Sequence, residues 1–129
     1  MRIEHVAIWT RDLERLKGFY QTYFQASAGP KYVNAARQFE SYFLTFTSGA
    51  RLELMHMPSV VEWPDDGEGQ LRGCSHLAFS VGSKQGVDTL TAWLEEDGYR
   101  VEHGPRWTGD GYYESRVRDC DGNRIEITI

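Results

Sequence analysis

Two histidines and two glutamates stand in matching surroundings in this chain. His5 lies in Glu4-His5-Val6-Ala7-Ile8 and His76 in Ser75-His76-Leu77-Ala78-Phe79, both of the form x-His-apolar-Ala-apolar. Glu53 lies in Gly49-Ala50-Arg51-Leu52-Glu53-Leu54 and Glu126 in Gly122-Asn123-Arg124-Ile125-Glu126-Ile127, both Gly-x-Arg-apolar-Glu-apolar. From His to Glu is 48 positions (53 − 5) in the first case and 50 (126 − 76) in the second. Two short patterns in the same order at nearly the same spacing mark an internal repeat. Imidazole and carboxylate in this combination are a donor set for a divalent cation of the Zn, Ni, Co, Mn or Fe type. Two carboxylates also cancel the charge of one dication, so partial burial of the set is tolerable.

The segments around these four residues predict the elements that position them. After His5, "TRDLERLKGFYQTYFQ" places Leu13, Leu16, Phe19, Tyr20, Tyr23 and Phe24 at three- and four-residue steps, an amphipathic helix capped by Thr10 or Asp12. After His76, "GSKQGVDTLTAWLEEDGY" repeats the arrangement, with Val87, Leu90 and Leu94 on one stripe, Ser83 as N-cap and Gly98 at the stop. Strand material closes each copy: "QFESYFLTF" and "ARLELMHM" in the first, "YRVEHG", "GYYESRVR" and "NRIEITI" in the second. The turns Thr47-Ser48-Gly49-Ala50 and Cys120-Asp121-Gly122-Asn123 read as hairpins. Each copy is thus strand–helix–strand–strand–strand, the first over about 1–58 and the second over about 74–129. The intervening 59–73, rich in Pro, Gly and acids, reads as a linker within a single domain.

Strand alternation then fixes direction. Leu52 and Leu54 share one face of their strand, and Ile125, Ile127 and Ile129 one face of theirs. Those apolar rows belong under the helices. Glu53, Glu126, His5 and His76 then all face the helix-free side of their sheets.

Composition narrows the partners. The chain has 129 residues and a formal net charge of -5, which argues against nucleic acid and anionic membrane. No apolar run approaches the roughly 20 residues of a membrane helix. The opening "MRIEHVAIW" reads as a strand and not as a signal peptide, which leads to the expectation of a cytoplasmic protein. Cys74 and Cys120 form no CxxC and are expected to be reduced and buried.

On these residues the chain resembles the vicinal oxygen chelate superfamily, the glyoxalase/bleomycin resistance/dioxygenase fold. "HVAIWTRDLERLKGFY" is similar to the family's opening strand and helix, and "DCDGNRIEI" to its closing stretch. The His-Glu-His-Glu set looks most like glyoxalase I (lactoylglutathione lyase). The resemblance implies an α+β fold of two tandem βαβββ modules forming an open, cup-shaped, eight-stranded mixed barrel with helices outside. It implies one divalent metal held by His5, Glu53, His76 and Glu126, and a homodimer that binds a small-molecule substrate. The implied chemistry is a metal-assisted proton transfer through an enediolate, on a methylglyoxal–glutathione hemithioacetal in glyoxalase I itself. Glu126 is the first choice for general base and Glu53 the second. The alternatives are an epimerase, a dioxygenase or a thiol transferase of the same fold, or a resistance protein that binds a small molecule without catalysis. Related epimerases usually carry Gln where Glu53 stands, and the dioxygenases and thiol transferases use a two-His, one-carboxylate set.

Substrate contacts are less sharply marked. Arg37, Arg116, Tyr112 and Trp107 are the candidates, Arg116 because alternation sets it with Tyr112 and Glu114 on the helix-free side. "GDGYY" reads as an aromatic wall or a lid hinged at Gly109 and Gly111. Arg51 and Arg124 are expected to pair with acids across their sheets. His56 and His103 fall outside the repeat and are expected at the surface.

Overall fold

The computed structural model describes residues 1–61 and 73–129. The chain divides into two compact units, Met1–Pro64 and Asp65–Ile129. Most of the expected linker, including its acids Glu62, Asp65, Asp66 and Glu68, lies outside the described residues.

The first unit runs β1 (His5–Trp9), α1 (Leu13–Phe24), β2 (Ser27–Ala28), β3 (Tyr32–Asn34), a 3-10 turn (Ala35–Arg37), β4 (Phe39–Thr45) and β5 (Arg51–His56). Asp12 caps α1, its carboxylate accepting from the Arg15 amide at 3.0 Å. The sheet order is β1-β5-β4-β2, with β3 also paired to β4. β1 and β5 are parallel and the other pairs antiparallel. A parallel pair needs a long crossover, and here α1 and the β2–β4 strands supply it. Leu16 and Tyr20 of α1 and Leu44 and Leu54 of the sheet are fully buried, as the apolar stripe and the alternation require.

The second unit runs β6 (Leu77–Ser80), α2 (Lys84–Glu96), β7 (Val101–Trp107), β8 (Tyr113–Arg118) and β9 (Arg124–Thr128). The order is β6-β9-β8-β7, again with the first and last strands parallel. Ser83 caps α2 by accepting from the Gly86 amide at 3.0 Å. Val87 and Leu94 pack over Val117, Ile125 and Ile127, all fully buried. Thr91 takes part in this core because its hydroxyl donates to the Val87 carbonyl and meets Ser115 Oγ, both at 2.6 Å.

Both sheets are mixed and open, and the fold is α+β. The expected eight strands become nine among the described residues, because the two-residue β2 adds one to the first unit. Cys74 is exposed and Cys120 half-buried, so the expectation that both are core residues is corrected. No helix among the described residues is long and apolar enough to cross a membrane.

The turn before β9 is held by one buried side chain. Asp119 is 5% exposed; its carboxylate accepts from the Asp121 and Asn123 amides at 2.9 and 2.8 Å and from Asn123 Nδ2 at 2.9 Å. Gly122 takes φ +84°, a conformation that a side chain disfavours. This is the physical content of "DCDGNRIEI": the aspartate sets the turn that starts the Glu126 strand. Asp119→Ala should cost about 2 kcal/mol, the scale of hydrogen bonds to a charged group, read from the urea midpoint.

Candidate metal centre

Each unit builds the same pair. In the first, Ala7 on β1 is the register partner of Glu53 on β5, with His5 two residues before it on the same face. His5 Nε2 lies 3.9 Å from Glu53 Oε2. In the second, Ala78 on β6 is the partner of Glu126 on β9, and His76 again stands two residues earlier. His76 Nε2 lies 3.6 Å from Glu126 Oε2. Alanine at the intervening position leaves the space that lets His reach across to Glu.

The glutamate side chains are 15% and 16% exposed, the histidines 40% and 34%. His5 Nδ1 donates to Glu4 Oε2 at 2.5 Å. Glu4 also accepts from Arg51 Nε at 2.8 Å. The His5 hydrogen bond, with Arg51 behind it, holds the Glu4 carboxyl below its usual range. With its proton on Nδ1, His5 turns the Nε2 lone pair toward Glu53. His76 Nδ1 meets Ser75 Oγ at 3.4 Å and likewise aims Nε2 at its glutamate. In the first pair, electron-pair donors face one another beyond hydrogen-bond distance, an arrangement that a cation relieves. Anchoring of the far ring nitrogen is the usual outer support of a metal-bound histidine. Phe43, the register partner of Glu53, packs edge-on against His5 at 5.3 Å and carries the Arg51 guanidinium 4.1 Å from its ring centre. Among the described residues, no three His, Cys, Asp or Glu side chains gather into one metal-binding group.

The surroundings of Glu126 are richer. On the same face, Arg116 is its register partner on β8, and His103 is the partner of Arg116 on β7. Glu114 is 8% exposed. Burial raises its carboxyl above the usual range, and the charge of Glu126, with which it shares a hydrogen bond, adds to this; Arg106 and Arg116 pull the other way. The expected acid partners of the repeat arginines are present: Arg51 pairs with Glu4, and Arg124 Nε lies 3.7 Å from Glu102, which also accepts from Arg118 Nε at 2.6 Å.

The raised Glu114 carboxyl has a stability consequence. Its folded form keeps a proton that the unfolded chain releases near 4.5, so stability falls as pH rises from there through the folded value. Glu114→Gln should remove that slope in metal-free protein. Urea midpoints of both proteins at pH 4.5 and at neutrality test this, and parallel changes in the two would refute it.

Other expectations fare unevenly. Arg116 lies on the Glu126 face. Trp107 lies on the other: it is the register partner of Tyr113, its ring centre 5.2 Å away, and Tyr113 donates to Asp88 of α2. Tyr112 is exposed in the β7–β8 turn, which is closed by Thr108 bonding to the Tyr112 amide and carbonyl. Arg37 is exposed on the 3-10 turn of the first unit. The expectation of surface positions for His56 and His103 is corrected, since both are half-buried. His56 Nδ1 donates to the Thr10 carbonyl at 3.0 Å, and the ring lines a cleft with Asn34, Gln38, Phe39 and Glu40. His103 belongs to the Glu126 row, and burial followed by the charges of Arg116 and Arg106 pushes its imidazole below the usual range.

Comparison with known proteins shows the family. Residues 2–127 match the model of the glyoxalase/bleomycin resistance protein/dioxygenase superfamily. A Bacillus cereus structure named as that of a possible glyoxalase is 25% identical, with TM-score 0.73, over 100% of this chain and 99% of that one. The trypanothione-dependent glyoxalase I of Leishmania major is 22% identical, with TM-score 0.77, over 99% and 86%. Lactoylglutathione lyase of Agrobacterium tumefaciens is 23% identical, with TM-score 0.69, over 98% and 91%. Among curated sequences, the uncharacterized protein YqjT of Bacillus subtilis is 40% identical over 58 residues, 43% of this chain and 45% of that protein. That match spans less than half of the relative's length.

Proposed function

Because the chain belongs to the glyoxalase/bleomycin resistance protein/dioxygenase superfamily, we propose that its two His–Glu pairs together hold one divalent metal and that the protein is a lyase or isomerase of the glyoxalase I type. The observation that carries the reading is the repeated pair geometry, with Nε2 of each histidine 3.9 and 3.6 Å from its glutamate. The donor set fits Ni, Zn, Co, Mn or Fe, and all four ligands occupy matching positions of the internal repeat. A homodimer is the proposed assembly.

When bound, the metal supplies Lewis acidity to neighbouring oxygens of a small substrate. The protein's own residues supply the rest. Glu126 takes a proton from the carbon beside the substrate carbonyl and returns it at the next carbon. Glu53, flanked by Ala7 and Phe43, stays fixed as a ligand. Arg51 and Glu4 hold His5 in its tautomer, and Asp119 fixes the turn that carries Glu126. A hemithioacetal of methylglyoxal and glutathione is the proposed substrate, by likeness to the glyoxalase I structures.

Metal-free protein titrated with Ni and Zn tests the first half of the reading. Uptake of no dication would remove the enzyme. Turnover of the hemithioacetal by the loaded protein tests the second half. Uptake without turnover would favour another vicinal-oxygen substrate or a binding protein of this fold.

A further inference from the structure

β7 does not alternate. Its register against β8 slips by one residue between Val101 and His103 and again between His103 and Arg106. Val101 pairs with buried Val117 on the helix side, so strict alternation would send Glu102 to the open face and His103 back toward the helix. The first slip instead leaves both Glu102 and His103 on the open face. Bulges of this kind re-aim side chains, often beside functional sites. The result is a row across three strands: His103, Arg116, Glu126.

Two atoms of that row are unsatisfied. His103 Nδ1 and Arg116 Nε are buried and have no hydrogen-bond partner. Of the neighbouring acids, Glu102 pairs with Arg118 and Arg124, and Glu114 with Glu126 and, at 3.9 Å, Arg106; Glu126 faces Arg116 from the next strand, and Glu114 also feels the Arg116 charge, but neither bonds its Nε. Arg116 makes no ion pair among the described residues. A guanidinium Nε–H can only donate, and a buried donor without an acceptor is costly unless something supplies one.

We infer that Arg116 and His103 form a receptor for a carboxylate of the substrate, one strand spacing, about 5 Å, from the glutamate that works on it. This rests on the proposed role of Glu126 and adds a substrate feature to it. The row offers one guanidinium, with the Glu126 carboxylate on the next strand, so it suits a ligand group of low charge. The planar fork of arginine fits a planar carboxylate with two parallel hydrogen bonds. A dianionic phosphate would call for more cation than the row offers. On this inference the substrate is a small oxygenated acid in place of the hemithioacetal, whose carboxylates lie at the far ends of glutathione: its carboxylate is held by Arg116 and His103 and its reacting carbon lies at Glu126.

The test uses the metal-free protein, so that it does not depend on the metal site. L-Lactate is titrated while the Arg116 Nε–H and His103 ring resonances are followed by NMR, against propane-1,2-diol, which has the same skeleton without the charge, and inorganic phosphate. Lactate should shift both groups saturably, the diol neither, and phosphate should bind more weakly than lactate. Arg116→Met should weaken lactate binding about tenfold or more. If that variant does not fold by circular dichroism, His103→Gln should weaken it several-fold. No saturable shift up to about 100 mM lactate, an equal response to the diol, tighter phosphate binding, or unchanged lactate affinity in the folded variants overturns the inference. Failure of the metal reading would appear separately, as no dication uptake with the lactate response intact.

Discussion

Gly104→Ala is expected to be the most damaging single substitution outside the core. Gly104 sits between the two slips of β7 at φ +87°, where a side chain is strained. A Cβ there would lie 2.5 Å from the Glu114 carbonyl oxygen and 2.8 Å from the Ser115 Cα. Both are backbone atoms of the paired strand and cannot swing aside. Left-handed strain contributes about 1–3 kcal/mol, and forced overpacking a similar amount. The combined loss is about 4 kcal/mol, a large part of a small domain's total stability. Gly111→Ala is the control, because Gly111 has φ +94° but a Cβ there would meet no atom within 4 Å. It should lose only the strain contribution, about 1–3 kcal/mol. Urea unfolding of both variants separates the two contributions. Equal losses would mean that the bulge relaxes and that its close approach does not hold β7 in register.

The same bulge marks the limit of what the sequence discloses. His5, Glu53, His76 and Glu126 are legible because their strands alternate without interruption, so the apolar rows Leu52–Leu54 and Ile125–Ile127 dictate where the glutamates point. The helices are legible for a similar reason, their apolar stripes being bounded by capping residues, Asp12 and Ser83. His103 is hidden because two inserted residues break the period of its strand. The signal that could have exposed it is Gly104-Pro105 inside strand-like sequence, since both residue types mark bulges. Trp107 is not displaced by the slips: two of one residue each restore the phase set by Val101, and it pairs with Tyr113 on the helix side. The support given by Glu4 to His5 depends on a hydrogen bond between adjacent residues at a strand's start, which no periodicity encodes.

Glu126→Gln is expected to lower kcat/KM by about 10²–10⁴-fold in the metal-loaded protein, the range for loss of a general base. Glutamine keeps the shape and an oxygen donor and removes the group that accepts the proton. Metal content, measured alongside, should therefore fall much less than turnover. The choice of Glu126 over Glu53 rests on their neighbours. Glu53 stands between Ala7 and Phe43, apolar partners that offer a substrate little to bond. Glu126 stands between Ala78 and Arg116, with Glu114 hydrogen-bonded to it and His103 one strand further on. A substrate gripped by that row brings its reacting carbon to Glu126, and the polar groups beside it can follow the proton. Glu53→Gln should accordingly cost metal affinity first and turnover in proportion to the metal lost, with activity recovered at high metal concentration. If metal-saturated Glu126→Gln kept activity within about tenfold of the native protein while metal-saturated Glu53→Gln were inactive, the base would be Glu53, and the polar row on the second sheet would have to serve binding alone.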